Sequence, residues 1–123
     1  MQLLAIFIGG GLGSLARYGM GRWLGVTASG FPVGTLAANL AACIVLGFLG
    51  GLIAARIDVP TPLKSGGMVG FCGGFSTFST FSNESLGLFG AQRPGVALLY
   101  VGLSVVICLA GIWLGQWLGR AVA

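Results

Sequence analysis

Four long apolar stretches divide the chain, and short segments that contain proline or charged residues separate them. Each stretch has roughly the 20 residues that an α-helix needs to cross the hydrocarbon core of a bilayer. The separating segments contain Pro32, Pro60, Pro62 and Pro94, and proline interrupts or begins helices. The pattern predicts four transmembrane helices in a single domain of residues 1–123, at about Leu3 to Leu24, Val33 to Ala55, Ser65 to Phe89 and Gly95 to Leu118.

The composition agrees with a protein that lies in lipid. Of the 123 residues, 56% are hydrophobic and 7% are charged, and the mean hydropathy is +1.01. Soluble domains carry about 25% charged residues. The formal charge is +4, but the basic residues are scattered singly between the spans, so a basic face for nucleic acid is absent. We expect an integral membrane protein that does not bind nucleic acid.

The positions of the basic residues bear on orientation, because positively charged loops normally face the cytoplasm. A chain that crosses four times has three basic residues on each side, Arg56, Lys64 and Arg120 on one and Arg17, Arg22 and Arg93 on the other. Such a balance gives no strong reason to choose one orientation. We therefore predict that copies insert both ways and form an antiparallel homodimer.

Small residues recur at intervals of four along the second and fourth spans, and this spacing lets helix backbones approach closely in lipid. The pairs are Ala38 with Ala42, Gly47 with Gly51, and Gly111 with Gly115. We assign most of them to packing within one chain. They do not identify an interface between chains.

Two spans also carry polar residues at intervals of four, which places each set on one face of its helix. The second span has Thr35, Asn39 and Cys43, and the fourth has Tyr100, Ser104 and Cys108. We call these two sets the polar tracks. One explanation is hydrogen bonding between helices or to their own carbonyls; the other is a polar pathway through the membrane. Asn39 favours the pathway, because an amide in lipid must find partners.

The side chains available restrict the chemistry of such a pathway. The chain contains no His, and the first, second and fourth spans contain no carboxylate. A proton relay therefore lacks its usual groups. The many Ser residues have no His to activate them, and no metal-binding cluster is present. The three Cys residues lack CxxC spacing and are interpreted as small apolar packing residues. We do not expect an enzyme.

The third span contains the segment GFCGGFSTFSTFSNE at residues 70–84. Glycine weakens a helix by roughly 1 kcal/mol relative to alanine, so we predict a break near Gly73 and Gly74. Carbonyls freed there would bind a hard cation or be satisfied locally. Beyond the break, Phe78 and Phe81 offer electropositive ring edges to a small anion, with hydroxyl donors beside them. A packing stripe of aromatic rings explains the same residues equally well.

The sequence resembles the CrcB/Fluc family of fluoride channels. The residues that carry the resemblance are GFCGGFSTFSTFSNE, GGGLGSLARY at 9–18, GTLAANL at 34–40, and the spacing of Tyr100 and Ser104. The resemblance implies a dual-topology antiparallel homodimer in a bacterial plasma (inner) membrane. Fluoride would leave the cell passively through two pores formed between the subunits.

The resemblance also implies roles for individual residues. Phe78 and Phe81 match the family's paired pore phenylalanines, and Asn39 matches its pore asparagine. The carbonyls of Gly73 and Ser76 match the ligands of a structural sodium ion at the dimer centre. The fluoride pathway would further include the remaining motif and track residues Ser79, Thr80, Tyr100 and Ser104.

Two charged residues and one thiol keep open roles. Arg17 matches the arginine of the first-span motif, where it either draws anions into a vestibule or extends to the membrane interface. Glu84 follows the third-span motif, and a pair with a basic residue such as Arg93 would balance its charge. Cys108 occupies a track position where a relative has Ser, and a thiol is a weak donor.

Two other functions stay open. A proton-coupled exporter of the small multidrug-resistance type also has four short spans, but it requires a carboxylate in its first span, which this chain lacks. A purely structural membrane protein would explain the glycines and the aromatic rings. It would not explain the two polar tracks.

Overall fold

The computed structural model describes residues 1–123 and is entirely helical. Three uninterrupted helices are long and apolar enough to cross a membrane. They are α1 (Gln2–Leu24), α2 (Val33–Ala54) and α4 (Pro94–Ala121). Each contains most or all of one predicted span. The multi-pass helical architecture expected from the sequence is therefore confirmed.

The segment between α2 and α4 is divided into two helical halves. The first half, α3a, joins Thr61–Leu63, the π-helix Lys64–Cys72 and the short helix Gly73–Phe75. The second half, α3b, is Phe78–Gly90. In the π-helical part each N–H bonds to the carbonyl five residues earlier, which widens the turns.

The break lies at Ser76 and Thr77, so its predicted position near Gly73 and Gly74 is wrong by a few residues. Ser76 has ψ 156° and Thr77 has φ −153° and ψ 118°, which are extended conformations. Gly73 keeps helical angles, φ −64° and ψ −38°. The Thr77 hydroxyl accepts the Thr80 N–H at 3.2 Å and so caps α3b. A hydroxyl that starts a new helix therefore sets the break, rather than the low helix propensity of glycine.

The glycines of α3a instead allow α1 to pack against its backbone. A methyl group added at Gly74 would collide with the carbonyl of Gly10, and one added at Gly70 would lie 2.7 Å from the carbonyl of Ile6. On the other side of the contact, Gly9 and Gly13 are buried. Close approach of this kind is how helices associate in lipid.

Helices α2 and α4 pack in the same way. A methyl at Gly47 would collide with the carbonyl of Ile112, and one at Gly115 with the carbonyl of Ile44. Ala38 and Ala42 are buried against Phe75. The predicted small-residue pairs therefore lie in contacts within the chain, as expected, and they bring the polar faces of α2 and α4 next to each other.

Candidate functional site

The polar tracks of α2 and α4 meet at a cavity beside the break. This inner cavity has a volume of about 260 Å³. Its wall includes one residue pair from each track and both residues of the break: Asn39, Cys43, Ser104, Cys108, Ser76 and Thr77. Phe78 and Phe81 complete it from α3b. Half of the predicted site residues thus line this cavity: Asn39, Ser76, Phe78, Phe81 and Ser104.

A second cavity lies toward the end of the bundle where α1 ends and α2 begins. We call it the vestibule; its volume is about 370 Å³. Only one of its nine lining residues is hydrophobic. Arg17 and Arg22 contribute positive charge, and Thr77 borders both this cavity and the inner cavity. The hydroxyl groups of Thr35 and Thr80 and the carboxylate of Glu84 line the vestibule as well.

Asn39 is bound to the backbone at the break. The Thr77 N–H donates to Asn39 Oδ1 at 2.7 Å, and Asn39 Nδ2 donates to the Thr77 carbonyl at 3.3 Å. These bonds replace the helical ones that Thr77 lacks. The second N–H of the amide stays available to the inner cavity, which Asn39 lines.

Glu84 joins the two tracks. Its Oε1 accepts from the Thr35 hydroxyl at 2.8 Å, and its Oε2 accepts from the Tyr100 hydroxyl at 2.7 Å. The pair with Arg93 considered from the sequence does not form, and hydroxyl groups donate to both carboxylate oxygens instead. One donor comes from α2 and the other from α4, so Glu84 fastens α3b to both helices.

Arg17 is anchored at the wall of the vestibule. Its Nε donates to the Gly74 carbonyl at 3.1 Å. The guanidinium is half-buried and lines the vestibule. Arg17 thus adds a positive charge to the wall of this cavity, and its role in drawing anions stays a prediction.

The aromatic rings fall into two separate groups. Phe71 and Phe75 lie 5.3 Å apart on α3a, and Phe75 is buried. Phe78 and Phe81 lie beyond the break with ring centroids 5.5 Å apart and planes inclined by 41°. The single packing stripe considered above is therefore divided by the break, and the second group faces the inner cavity. Phe78 is 79% exposed in the single chain.

The Ser and Thr hydroxyl groups near the two cavities differ in whether they already have a hydrogen-bond partner. Ser104 Oγ is buried and has no hydrogen-bond partner. The Thr77 hydroxyl donates to Thr80 Oγ1 at 3.1 Å. Ser79 is exposed and lines neither of the two cavities, although it was predicted for the pathway. Ser104 is therefore the buried hydroxyl with free capacity for a ligand.

The carbonyls expected to hold sodium have no donor within the chain. The Thr77 N–H, which would bond to the Gly73 carbonyl in a continuous helix, goes to Asn39 instead. Neither the Gly73 nor the Ser76 carbonyl accepts a backbone or side-chain hydrogen bond. Gly73 is exposed, with no atom within 4 Å of a methyl added there. Both carbonyls are therefore free to coordinate a cation.

Sequence reasoning missed three residues that line the cavities. Thr77 was noticed only as part of a motif, although a Thr three residues before another polar residue is a recognisable helix start. Ser14 and Arg22 line the vestibule from α1. No period in the sequence distinguished them, because their position depends on how α1 packs against α3a.

The fold and these cavities define a multi-pass helical membrane protein with polar groups that line two neighbouring cavities. The sequence profile described as "CrcB-like protein, Camphor Resistance (CrcB)" matches residues 4–116. The chain belongs to this family, as its motifs indicated. The family is an ion-channel family, which confirms that the chain is not an enzyme.

Individual relatives agree with this assignment. The chain is 41% identical to a protein of Methylococcus capsulatus. The alignment covers 100% of this chain and 54% of that protein, so the chain spans about half the length of that relative. It is also 41% identical to a Coxiella burnetii protein, over 98% of both chains. A Rhizobium johnstonii protein is 37% identical over 100% of this chain and 99% of the relative. All three are named fluoride-specific ion channel FluC.

Proposed function

We propose that this protein is a fluoride-specific passive ion channel that exports fluoride and protects the cell from its toxicity. The observation that carries the proposal is the pair of polar cavities, the vestibule and the inner cavity, whose linings share Thr77 and which we take as two parts of one passage. It agrees with the names of relatives that match nearly the whole chain. The names of these relatives give no support to the two other functions considered, a proton-coupled exporter and a purely structural membrane protein.

The donors along the passage suit a small, strongly hydrated anion. The vestibule supplies Arg17 and the Thr80 hydroxyl, and the inner cavity supplies the Asn39 amide and the unpartnered Ser104 hydroxyl. The edges of Phe78 and Phe81 add weak positive potential. No fixed cation lines the inner cavity, so binding there is weak enough for the anion to leave.

The driving force is electrical and needs no coupled reaction. Hydrogen fluoride enters a cell as a neutral acid and dissociates in the more alkaline cytoplasm, where fluoride is trapped as an anion. An inside-negative membrane potential drives each charge outward with about 2.3 kcal/mol per 100 mV. A selective pore is therefore sufficient for export.

We further propose that the working unit is an antiparallel, dual-topology homodimer with four crossings per chain, α3a and α3b together forming the third. The balanced basic residues support both orientations. The exposed Phe78 ring and the free Gly73 and Ser76 carbonyls form a surface that a second copy would cover. A reporter fused to the C-terminus is expected on both sides of a bacterial inner membrane; a reporter on one side only would contradict dual topology.

The structural sodium ion belongs to the same dimer. Two chains would bring together the carbonyls of Gly73 and Ser76 at the two-fold axis, and a hard cation prefers such oxygen ligands. Replacement of sodium by the bulky cation N-methylglucamine should lower the melting temperature of the purified dimer. An unchanged melting temperature would contradict the site.

The function itself is tested by reconstitution. Liposomes that contain the purified protein and potassium fluoride are treated with valinomycin, and released fluoride is followed with an ion-selective electrode. We expect rapid fluoride efflux, and little chloride efflux from matched liposomes loaded with potassium chloride. Folded protein that releases no fluoride would contradict the proposed function. Equal release of both anions would contradict its selectivity.

A further inference from the structure

Two cysteines face each other across the inner cavity. Cys43 on α2 and Cys108 on α4 both line it. The helices are held together at this level, since a methyl added at Gly111 would lie 3.5 Å from Cys43 Cβ. Both cysteines are free and only partly buried. The third cysteine, Cys72, is buried in α3a and does not line this cavity.

A buried group with free bonding capacity lies beside the thiols. Ser104 is one helical turn before Cys108, lines the same cavity, is 6% exposed and has no partner for its hydroxyl. The other strongly polar side chain of the cavity, Asn39, is bound to Thr77. The side chains of the cavity with free capacity to bind a soft metal ion are therefore the thiols of Cys43 and Cys108, with the Ser104 hydroxyl beside them.

The chemistry of this group selects a particular class of cation. Thiolates are soft ligands and prefer soft metal ions. The chain offers no group of three or more His, Cys, Asp or Glu side chains, so the four ligands that a structural zinc ion requires are not available. Mercury(II) is soft and is satisfied by two thiolates in a linear arrangement. Two thiolates also cancel its charge, which matters because a net charge is costly away from water.

We propose that Cys43 and Cys108 form a two-thiol site for mercury(II), and that the bound ion closes the inner cavity. Each thiol gives its proton to water as its S–Hg bond forms, mercury releases its two chloride ligands to the solvent, and no electron is transferred. The ion would bridge α2 and α4 beside Ser104 and Phe81, within the passage. The closing of the passage to fluoride rests on the proposed function, whereas binding does not.

Binding is tested without any measurement of transport. Purified Cys72→Ala protein, which retains only the two cavity thiols, is titrated with mercury(II) chloride and examined by native mass spectrometry. We expect one mercury ion per chain, with the loss of two protons, and no retention of zinc under the same conditions. With Cys43→Ser or Cys108→Ser added, any mercury should be held through one S–Hg bond, with the loss of one proton and one chloride kept on the metal; Cys43→Ala or Cys108→Ala replaces any serine variant that does not elute as folded protein. Two mercury ions per chain, no mercury, or a chloride kept on the mercury of the two-thiol protein would overturn the site.

Transport is then measured on the same proteins. Mercury should stop fluoride efflux from liposomes that contain Cys72→Ala protein, and a small dithiol should restore it. The double variant Cys43→Ser with Cys108→Ser should be insensitive to mercury. Unchanged efflux from protein that retains mercury would overturn closure of the cavity. If efflux is absent before mercury is added and the ion is still retained, the proposed function fails and the binding site stands.

Discussion

Asn39 and Thr77 hold each other through a reciprocal pair of hydrogen bonds, at 2.7 Å from the Thr77 N–H to Asn39 Oδ1 and at 3.3 Å from Asn39 Nδ2 to the Thr77 carbonyl. The Asn39 side chain on α2 thus replaces the helical hydrogen bonds that the Thr77 backbone lacks at the break. An unpaired backbone group at membrane depth is tolerated only where something else satisfies it. Asn39 therefore has a structural role in addition to its position on the passage.

Asn39→Ala should destabilise the protein. It leaves the Thr77 N–H and carbonyl without partners, at a cost of about 1–3 kcal/mol for each buried group. Asn39→Asp should be intermediate, because a carboxylate accepts from the N–H but cannot donate to the carbonyl. The melting temperature of the purified protein, followed by tryptophan fluorescence, checks this order.

Ser104→Ala is the matched control for Asn39. Its hydroxyl lines the same cavity but has no partner, so its removal leaves no group unpaired. We expect an unchanged melting temperature and reduced fluoride efflux. If Asn39→Ala melted at the same temperature as Ser104→Ala, the reciprocal pair would not support the break.

The sequence identified the polar residues but not their partners. The spacing of Thr35, Asn39, Tyr100 and Ser104 placed them correctly on two helix faces, because a period of four is a local property of a helix. Whether a polar group is free or occupied depends on the third segment, which crosses both helices. Glu84 illustrates this: its oxygens bind Thr35 and Tyr100, which are 49 and 16 residues away.

The break shows a second limit. Glycine content predicted that the third segment is interrupted, and it is. The position was wrong because glycine permits a break without requiring one: Gly73 and Gly74 both stay helical, and only Gly74 packs closely against α1. The hydroxyl cap of Thr77 is the local signal that marks the position.

Glu84 provides a prediction about the joint between three helices. Glu84→Ala should destabilise the protein, because the hydroxyls of Thr35 and Tyr100 both lose their acceptor, again at about 1–3 kcal/mol each if they stay unpaired. Glu84→Gln should cost less, since an amide still offers an acceptor and can donate to a hydroxyl. Chemical denaturation in detergent measures both differences.

The control for Glu84→Ala is the same substitution in a protein that lacks the two hydroxyl donors. In protein that already carries Thr35→Val and Tyr100→Phe, the carboxylate has lost both donors, so Glu84→Ala should become neutral or stabilising. Asp58→Asn, at an exposed loop position, should change nothing in either background. An equal cost of Glu84→Ala in both backgrounds would show that the two hydroxyl contacts do not determine its stability.

Phe78 and Phe75 separate transport from folding. Phe78 is 79% exposed in the single chain and Phe75 is 6% exposed. Phe78→Ile should therefore disturb the packing within one chain little and should abolish fluoride efflux, because it removes the ring edge from the cavity. Phe75→Ile should lower stability by about 1–3 kcal/mol, since a branched chain fits poorly in a space shaped for a ring.

The two phenylalanine variants are compared per folded molecule. Efflux from liposomes is normalised to the protein that elutes as folded dimer. Phe75→Ile should then conduct like the unmodified protein. Normal efflux through Phe78→Ile would remove that ring from the passage and leave Phe81 as the aromatic group beside the inner cavity.

Gly115 and Gly102 lie on the same helix and should respond oppositely to alanine. A methyl at Gly115 would collide with the Ile44 carbonyl, whereas Gly102 has nothing within 4 Å. Gly115→Ala should cost about 1–3 kcal/mol by forcing α2 and α4 apart. Gly102→Ala should raise stability by up to about 1 kcal/mol, because alanine favours a helix.

Because α2 and α4 form two walls of the inner cavity, Gly115→Ala should also slow fluoride efflux. If both variants changed the melting temperature in the same direction, backbone contact would not be what holds α2 against α4.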